Sequence, residues 1–411
     1  MPKVLRIINR FNLGGPTYNA AYLTKYLEPD FETILVGGEK DISEESSEYI
    51  LEKLNIKSIV IPEMRRSINP FLDWKAYWKI VALIKEHKPD IVHTHAAKAG
   101  AIGRLAAINL KVPIILHTFH GHVFHSYFNI IKTLTYKVIE RYLAKRSSKI
   151  IAISELQKKE LASDHKICNS NHIEVIPLGF DLTRFNEKKQ EKRQAFRTFF
   201  NLDEDTIAIG IIGRLVPIKN HQLFLEAIKY IAENTNKKTR AFIIGDGEDR
   251  EKIKDQCIQL GLSYDCSSSL TEFDNKLNNS QINSIELKNS NIVFTSWIKN
   301  VDFAFNGLDI VTLSSLNEGT PVSIIEAQAA CKPIVTTPVG GVGNIVILNK
   351  TALLSDGSSQ SYCENLFNLV QDDNLRNEMG KEGWNFVENR FSHTRLVSDV
   401  KKLYLNLIQS T

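Results

Sequence analysis

Short apolar segments alternate with longer stretches of helical periodicity along most of the chain. Short apolar runs bounded by turn residues are typical of buried strands, and apolar positions three or four apart are typical of helices. In the first part of the chain the predicted strands are 4–8, 33–36, 58–61, 91–93, 114–117, 150–153 and 173–176. Strands that alternate with helices predict a parallel sheet covered on both faces.

The alternation stops at residues 177–181 and restarts after a charged helical stretch at 187–200. The second series of predicted strands is 207–212, 241–244, 292–295, 310–313 and 334–336. We therefore predict an α/β protein with two doubly wound, Rossmann-like domains, 1–180 and 181–390, which face a central cleft. The polar stretch 263–290 is predicted to be an inserted surface loop. Residues 391–411 are predicted to contain a final helix.

Composition narrows the class of protein. The chain is 43% hydrophobic and 24% charged, as in globular proteins. No apolar run approaches the roughly 20 residues of a membrane span, and the apolar N-terminal stretch is too short for a signal peptide, so we expect a cytoplasmic protein. Five scattered cysteines without a C-x-x-C pair predict reduced thiols rather than a zinc site or disulfides.

Positive charge is concentrated in residues 65–149, which carry 15 Lys and Arg against 4 Asp and Glu. This excess predicts an anionic partner. Basic and apolar side chains are interleaved in 127–149, so this stretch either docks on an anionic membrane or packs as a helix with a solvated basic face. Nucleic acid is not the predicted partner, because no nucleic-acid-binding motif is present.

A glycine turn follows the first strand of each domain. Gly14 and Gly15 open a helix, where backbone N–H groups can approach a phosphate. In the second domain, Arg214 and Lys219 follow a glycine, and a guanidinium with an ammonium would clamp a diphosphate. Gly245 lies in a similar turn after another strand. An ordinary tight or solvated turn is the alternative at each position.

Two carboxylates eight residues apart give the strongest local signal. Glu318 precedes a predicted helix that Thr320 would cap and Pro321 would begin. Glu326 lies inside that helix in an apolar sequence, where a carboxylate is costly unless it is hydrogen-bonded. The helix N-terminus beside Glu318 would suit an anion.

Histidines concentrate at the ends of two predicted strands, at 93–95 and 117–125. A metal site is not predicted, because H-E-x-x-H is missing and carboxylates are scarce there. We expect His120, which precedes Gly121, to act on a polar substrate. The D-x-D sequence at 203–205 lies in a polar turn on the entering side of a strand and is not predicted to hold a metal.

Taken in order, these motifs resemble the family-4 retaining glycosyltransferases of GT-B fold. The string 93–100 with 117–122 resembles the branch that builds bacterial surface polysaccharides. The resemblance implies transfer of a sugar from a nucleotide-sugar, with a UDP-sugar as the expected donor, to a glycan or lipid-diphosphate-linked acceptor. It implies retained anomeric configuration, no obligatory metal and no cofactor besides the donor substrate. The acceptor class implies peripheral contact with the inner face of the cell membrane.

The resemblance also implies roles for single residues. Arg214 and Lys219 would hold the donor diphosphate, and Glu318 would contact the donor sugar. Glu326 would contact the ribose, and His120 the sugar near the reaction centre. Further donor-side positions are Gly14, Gly15, Gly245, Gly319 and Thr320, and the acceptor-side positions are His95 and Lys98. The final helix would return to the first domain. A nucleotide-sugar epimerase of the same fold and a non-catalytic nucleotide-sugar-binding assembly protein are the alternatives.

Overall fold

The computed structural model describes residues 1–12, 14–41, 46–65, 67–121, 130–266 and 290–410. It divides the chain into two compact units. The first unit comprises Met1–Phe180 and Arg390–Thr411, and the second comprises Asp181–Asn389. Each unit contains a seven-stranded sheet whose strand pairs are parallel. The predicted α/β class with two Rossmann-like domains is confirmed.

The sheet of the first unit has the order β3-β2-β1-β4-β5-β6-β7. Its strands are β1 (Lys3–Arg10), β2 (Glu32–Gly38), β3 (Ser58–Val60), β4 (Ile91–His95), β5 (Ile114–Phe119), β6 (Lys149–Ala152) and β7 (Ile173–Val175). The helices are α1 (Gly15–Tyr26), α2 (Glu48–Lys53), α3 (Pro70–His87), α4 (Ala97–Asn109), α5 (Ile130–Ala144), α6 (Glu155–Lys159) and, from the end of the chain, α15 (His393–Gln409).

Both faces of this sheet are buried because successive side chains of each strand point to opposite faces. On one face, Leu5 and Val92 belong to the core that α3 and α4 cover. On the other face, Val4 and Ile114 pack in one cluster with Leu396 of α15. The final helix is thus part of the core of the first unit.

The sheet of the second unit has the order β10-β11-β9-β8-β12-β13-β14. Its strands are β8 (Ile207–Ile212), β9 (Thr239–Ile244), β10 (Tyr264–Cys266), β11 (Ile292–Phe294), β12 (Ile310–Leu313), β13 (Ile334–Thr336) and β14 (Ala352–Leu354). The helices are α7 (Thr183–Asn186), α8 (Lys189–Phe199), α9 (His221–Asn234), α10 (Arg250–Gln259), α11 (Val301–Gly307), α12 (Val322–Ala329), α13 (Ser359–Gln371) and α14 (Asp373–Val387).

In the first unit the strand order reverses at β1, and this strand lies between β2 and β4. In the second unit it reverses at β8, and this strand lies between β9 and β12. Doubly wound sheets bind their ligands outside the carboxyl ends of the strands at such a reversal. The loops that follow β1, β4, β8 and β12 are therefore the first places to look for a site.

Three predictions about elements need correction. The predicted loop 263–290 begins with a strand, because β10 pairs with β11 as the edge of the second sheet; residues 267–289 lie outside the described residues. Strand β14 has no counterpart among the predicted strands. The helix predicted within 127–149 ends at Ala144, and Lys149 begins β6; residues 127–129 are not described. In the described part of the chain, no helix is long and apolar enough to cross a membrane.

Candidate active site

In the second unit, the loops after β8 and β9 meet through their backbones. The N–H of Gly213 donates to the carbonyl of Ile244 at 3.0 Å, and the N–H of Leu215 donates to the carbonyl of Asp246 at 2.9 Å. A Cβ on Gly245 would overlap the carbonyl oxygen of Gly213. Glycine at 245 is therefore required for packing, and it fixes the turn that carries Arg214.

Lys219 and Glu318 form an ion pair at the carboxyl edge of this sheet. The Nζ of Lys219 lies 2.5 Å from the Oε1 of Glu318, and both side chains are largely buried. The hydroxyl of Ser315 donates to the same carboxylate oxygen at 2.6 Å. Arg214 is exposed, and the described residues offer its guanidinium no hydrogen bond or ion pair. The edge thus presents one unpaired cation beside one cation held by a carboxylate.

A second backbone contact holds the segment that begins at Glu318. The N–H of Gly341 donates to the carbonyl of Glu318 at 3.1 Å. A Cβ on Gly341 would overlap the carbonyl oxygen of Gly319. Because backbone meets backbone here, the path of 318–319 into α12 is fixed.

The start of α12 differs from the prediction. Pro321 is the N-cap residue, not the first helical residue, and no side chain caps this helix end. The expected cap from the Thr320 hydroxyl is therefore wrong, because the helix begins one residue later than the motif suggested. Uncapped N–H groups at a helix start are the groups that bind anions in other proteins.

Glu326 lies on α12, mostly buried, with the guanidinium of Arg184 at 3.7 Å from its Oε1. Burial raises the pKa of Glu326 to about 7, against the attraction of Arg184, and the charge of Asp302 raises it further. Near neutral pH this carboxyl group can therefore either accept or donate a hydrogen bond.

In the first unit, four buried side chains surround the carboxyl end of β4. Arg6 on β1 pairs in register with His93 on β4. Its guanidinium lies 3.2 Å from the Nδ1 of His93, 3.3 Å from the Nε2 of His95 and 3.2 Å from the hydroxyl of Tyr404 on α15. The Nδ1 of His93 also lies 2.6 Å from that hydroxyl. We call these four residues, with Thr118 and His120, the histidine cluster.

His120 follows β5 and stands at the end of the histidine cluster. Its Nε2 lies 2.9 Å from the Nδ1 of His95. Burial lowers the pKa of His120 to about 4 and lowers the pKa values of His93 and His95 well below their usual value, so all three rings are neutral near pH 7. His95 is 1% exposed, and both of its ring nitrogens are occupied inside the unit.

The other predicted residues of the first unit have different surroundings. Gly14 is the N-cap of α1, and Gly15 is its buried first residue. Lys98 forms an ion pair with Asp73 and donates to the carbonyls of Arg65, at 3.0 Å, and Ser67, at 2.7 Å. The three N–H groups of Lys98 thus have partners that tie α4 to α3 and to the segment before it.

No group of side chains suited to a metal ion occurs within the described ranges. Asp203 and Asp205 of the D-x-D sequence are exposed and pair with Lys238 at 3.0 and 3.2 Å. Their role in this structure is a surface ion pair. His122 and His125 lie outside the described residues.

Sequence reasoning missed four residues that complete these sites: Arg6, Tyr404, Arg184 and Ser315. A signal existed for Arg6, since an arginine inside an apolar central strand must find buried partners. The other three reach their partners from distant parts of the chain or from within a loop, and no local pattern marks them.

Comparison with known families agrees with this architecture. The family described as Glycosyltransferase Family 4 matches residues 13–184, and the family described as Glycosyl transferases group 1 matches residues 206–372. The chain belongs to these glycosyltransferases. This membership favours a transferase over the epimerase and assembly-protein alternatives.

Two curated relatives illustrate the similarity. The UDP-Gal:alpha-D-GlcNAc-diphosphoundecaprenol alpha-1,3-galactosyltransferase of Escherichia coli is 28% identical over 355 residues, which are 86% of this chain and 85% of the relative. The capsular polysaccharide biosynthesis glycosyltransferase CapM of Staphylococcus aureus is 26% identical over 364 residues, 86% of each chain.

Solved structures support the fold. Anabaena Alr3699/HepE in complex with UDP aligns with a TM-score of 0.75 at 17% identity, covering 98% of this chain and all of the other. A glycosyltransferase from Rickettsia africae ESF-5 aligns with a TM-score of 0.76 at 18% identity, covering 100% and 99%. WaaG, a glycosyltransferase involved in lipopolysaccharide biosynthesis, gives 0.70 at 14% identity, covering 97% and 99%. The fold is GT-B.

Proposed function

We propose that this glycosyltransferase moves a sugar from a UDP-sugar to a lipid-diphosphate-linked or glycan acceptor in bacterial surface-polysaccharide synthesis. We propose further that the sugar keeps its anomeric configuration and that no metal is needed. The name of the Escherichia coli relative supports the donor and acceptor classes, and the name of the Staphylococcus aureus relative supports a role in polysaccharide synthesis. The family resemblance of the motifs supports retention.

One observation carries the proposal: two cations and an uncapped helix start occur together at the carboxyl edge of the second sheet. Departure of a nucleoside diphosphate develops negative charge on its oxygens. Arg214 is unpaired within the described residues, Lys219 is held in place by Glu318, and α12 begins beside them. Preorganised cations and N–H groups stabilise such charge, which in other transferases is the task of a divalent ion.

In this proposal Glu318 has two tasks. Before the donor binds, its carboxylate orients Lys219. When a diphosphate takes over Lys219, Glu318 can accept a hydrogen bond from a hydroxyl of the donor sugar. Glu326, with its pKa near 7, would accept from the ribose hydroxyls when it is ionised.

The test is transfer by the full chain, with UDP-sugars as donors and a GlcNAc-diphospholipid analogue as acceptor, with EDTA and then with Mg²⁺. We expect transfer to resist EDTA and the product to retain its anomeric configuration by NMR. Lys219→Ala should lower kcat/KM about 100-fold, as loss of one strong electrostatic donor does.

Lys238→Ala is the matched control, because Lys238 is an exposed lysine of the same unit that pairs with the surface carboxylates of Asp203 and Asp205. An inverted product would contradict retention, and loss of activity in EDTA would contradict metal independence. A Lys219→Ala variant as active as Lys238→Ala would contradict the role of Lys219. Failure of every nucleotide to raise the midpoint of thermal unfolding would overturn the donor site itself.

A further inference from the structure

The hydrogen bonds of the histidine cluster have a direction, because one of its members can only donate. A guanidinium carries five N–H donors and no acceptor. Arg6 is fully buried, and within the described ranges no carboxylate pairs with it. The atoms that face it must therefore accept: the Nδ1 of His93, the Nε2 of His95 and the hydroxyl oxygen of Tyr404.

These assignments determine which nitrogen of each neighbouring imidazole ring carries the proton. A neutral imidazole has one donor and one acceptor nitrogen. Since the Nδ1 of His93 accepts, its Nε2 carries the proton and donates to the hydroxyl of Thr118 at 2.8 Å. The Tyr404 hydroxyl accepts from Arg6 and donates to the Nδ1 of His93, so the single lone pair of that nitrogen is shared between the short bond from Tyr404, at 2.6 Å, and the longer contact with Arg6, at 3.2 Å. Every hydrogen bond around Arg6 is consistent with this pattern.

The same rule extends to His120. Because the Nε2 of His95 accepts from Arg6, the Nδ1 of His95 carries the proton and donates to the Nε2 of His120. His120 then carries its own proton on Nδ1. That Nδ1 is buried and has no hydrogen-bond partner among the described residues. His120 lines a small cavity with Asn19, Thr118 and Leu178.

We propose that Arg6 and His95 are positioning residues that hold His120 as the tautomer protonated on Nδ1, so that His120 donates a hydrogen bond to a substrate oxygen. The inference rests on the proposed function for the identity of that substrate, a sugar hydroxyl or phosphate oxygen of the UDP-sugar or acceptor. It assigns His120 the role of a donor at Nδ1 and excludes a general base acting through that atom.

Ring geometry supports a fixed series of hydrogen bonds from Arg6 through His95 to His120, which we call the relay. The rings of His93 and His95 stack with centroids 4.3 Å apart and planes inclined by 26°. The rings of His95 and His120 stack at 5.2 Å and 29°. A ring held by stacking and by hydrogen bonds at its edge has little freedom to flip, so the orientation set at Arg6 is transmitted to His120.

The first test reads the tautomers directly. The full chain is labelled with ¹⁵N-histidine, and long-range ¹H–¹⁵N correlations are recorded at pH 7.5, with His93→Gln, His95→Gln and His120→Gln used for assignment. We expect His95 and His120 to carry the proton on Nδ1 and His93 to carry it on Nε2. His120 protonated on Nε2, or doubly protonated, would overturn the inference.

A matched pair of variants tests the relay. In His95→Asn the side-chain amide can still accept a hydrogen bond from Arg6 and donate one to His120. In His95→Phe the side chain can form neither hydrogen bond. We expect His95→Phe to move the His120 proton to Nε2 and to lower kcat/KM for transfer at least 10-fold, and His95→Asn to restore most of both. Equal activity and equal tautomers in the two variants would refute the relay.

Two further readouts keep the outcomes separate. Arg6→Met should abolish the tautomer preference of both His95 and His120; if this variant does not fold, the His95 pair decides alone. Stabilisation by UDP reports on the second unit and should persist in the His95 variants. The NMR measurement of the tautomers requires no transfer reaction. If the chain shows the expected tautomers but no transferase activity, the proposed function is refuted and this inference is retained.

Discussion

Glu326 offers a test in which the structure supplies the magnitude. The carboxyl group is mostly buried on α12, with one guanidinium at 3.7 Å, and burial raises its pKa from 4.5 to about 7. A raised carboxyl pKa means that the folded state favours the protonated form. The associated stability is fully present below pH 4.5 and is lost as the pH rises through 7.

The size of the effect follows from that shift. Each pKa unit corresponds to about 1.4 kcal/mol, so a shift of this size corresponds to about 3 kcal/mol. Glu326→Gln keeps the shape of the side chain and cannot ionise. We expect this variant to match the wild type in the free energy of unfolding at about pH 4.5 and to exceed it by about 3 kcal/mol at about pH 8.

The assay is denaturant unfolding of the full chain, followed by tryptophan fluorescence between about pH 4.5 and pH 8. Trp74 and Trp78 of the first unit are 58% and 50% exposed, so a Trp74→Phe/Trp78→Phe background costs little. The fluorescence of that background comes from Trp297 and Trp384 in the second unit. A stability difference between the wild type and Glu326→Gln that does not change with pH would refute the assigned burial penalty.

Two further predictions concern other parts of the molecule. Gly341→Ala should destabilise the second unit by about 2 kcal/mol and weaken stabilisation by UDP, because the new Cβ would overlap the backbone of Gly319. Thermal unfolding checks this effect. Gly343→Ala is the control, because the new Cβ at that position would have open space around it. On α5, Leu134 and Val138 are exposed beside basic residues. If α5 docks on anionic membranes, Leu134→Glu/Val138→Glu should abolish sedimentation with phosphatidylglycerol vesicles and spare UDP binding; sedimentation of the wild type that is absent or indifferent to salt would contradict the docking.

The architecture was predictable from the sequence because long buried strands carry a strong signal. Strand β8 has the predicted bounds, 207–212, and α8 lies within the predicted helical stretch. The missed strands β10 and β14 are each three residues long and lie at the edges of their sheet. An edge strand of that length is defined by its pairing partner rather than by its own pattern.

The candidate site was predictable where a local motif marks each residue, and it was not predictable where residues are recognised only by their contacts with distant segments. Arg214, Lys219 and Glu318 were predicted from local motifs, and the structure adds that Lys219 and Glu318 pair with each other. His95 was expected to face an acceptor, yet its ring nitrogens are occupied within the histidine cluster. Periodicity cannot reveal this, because Arg6 and Tyr404 are separated by almost the whole chain.

The return of α15 to the first unit determines the order in which the chain can complete its folds during synthesis. Residues 181–389 emerge from the ribosome before residues 390–411, and those last residues supply Leu396, Val400 and Tyr404 to the first unit. The second unit can therefore finish folding while the first, although translated earlier, still exposes the apolar surface that α15 covers. Domains usually fold in the order of their synthesis; in this protein the N-terminal one cannot be completed until residues 390–411 have been made.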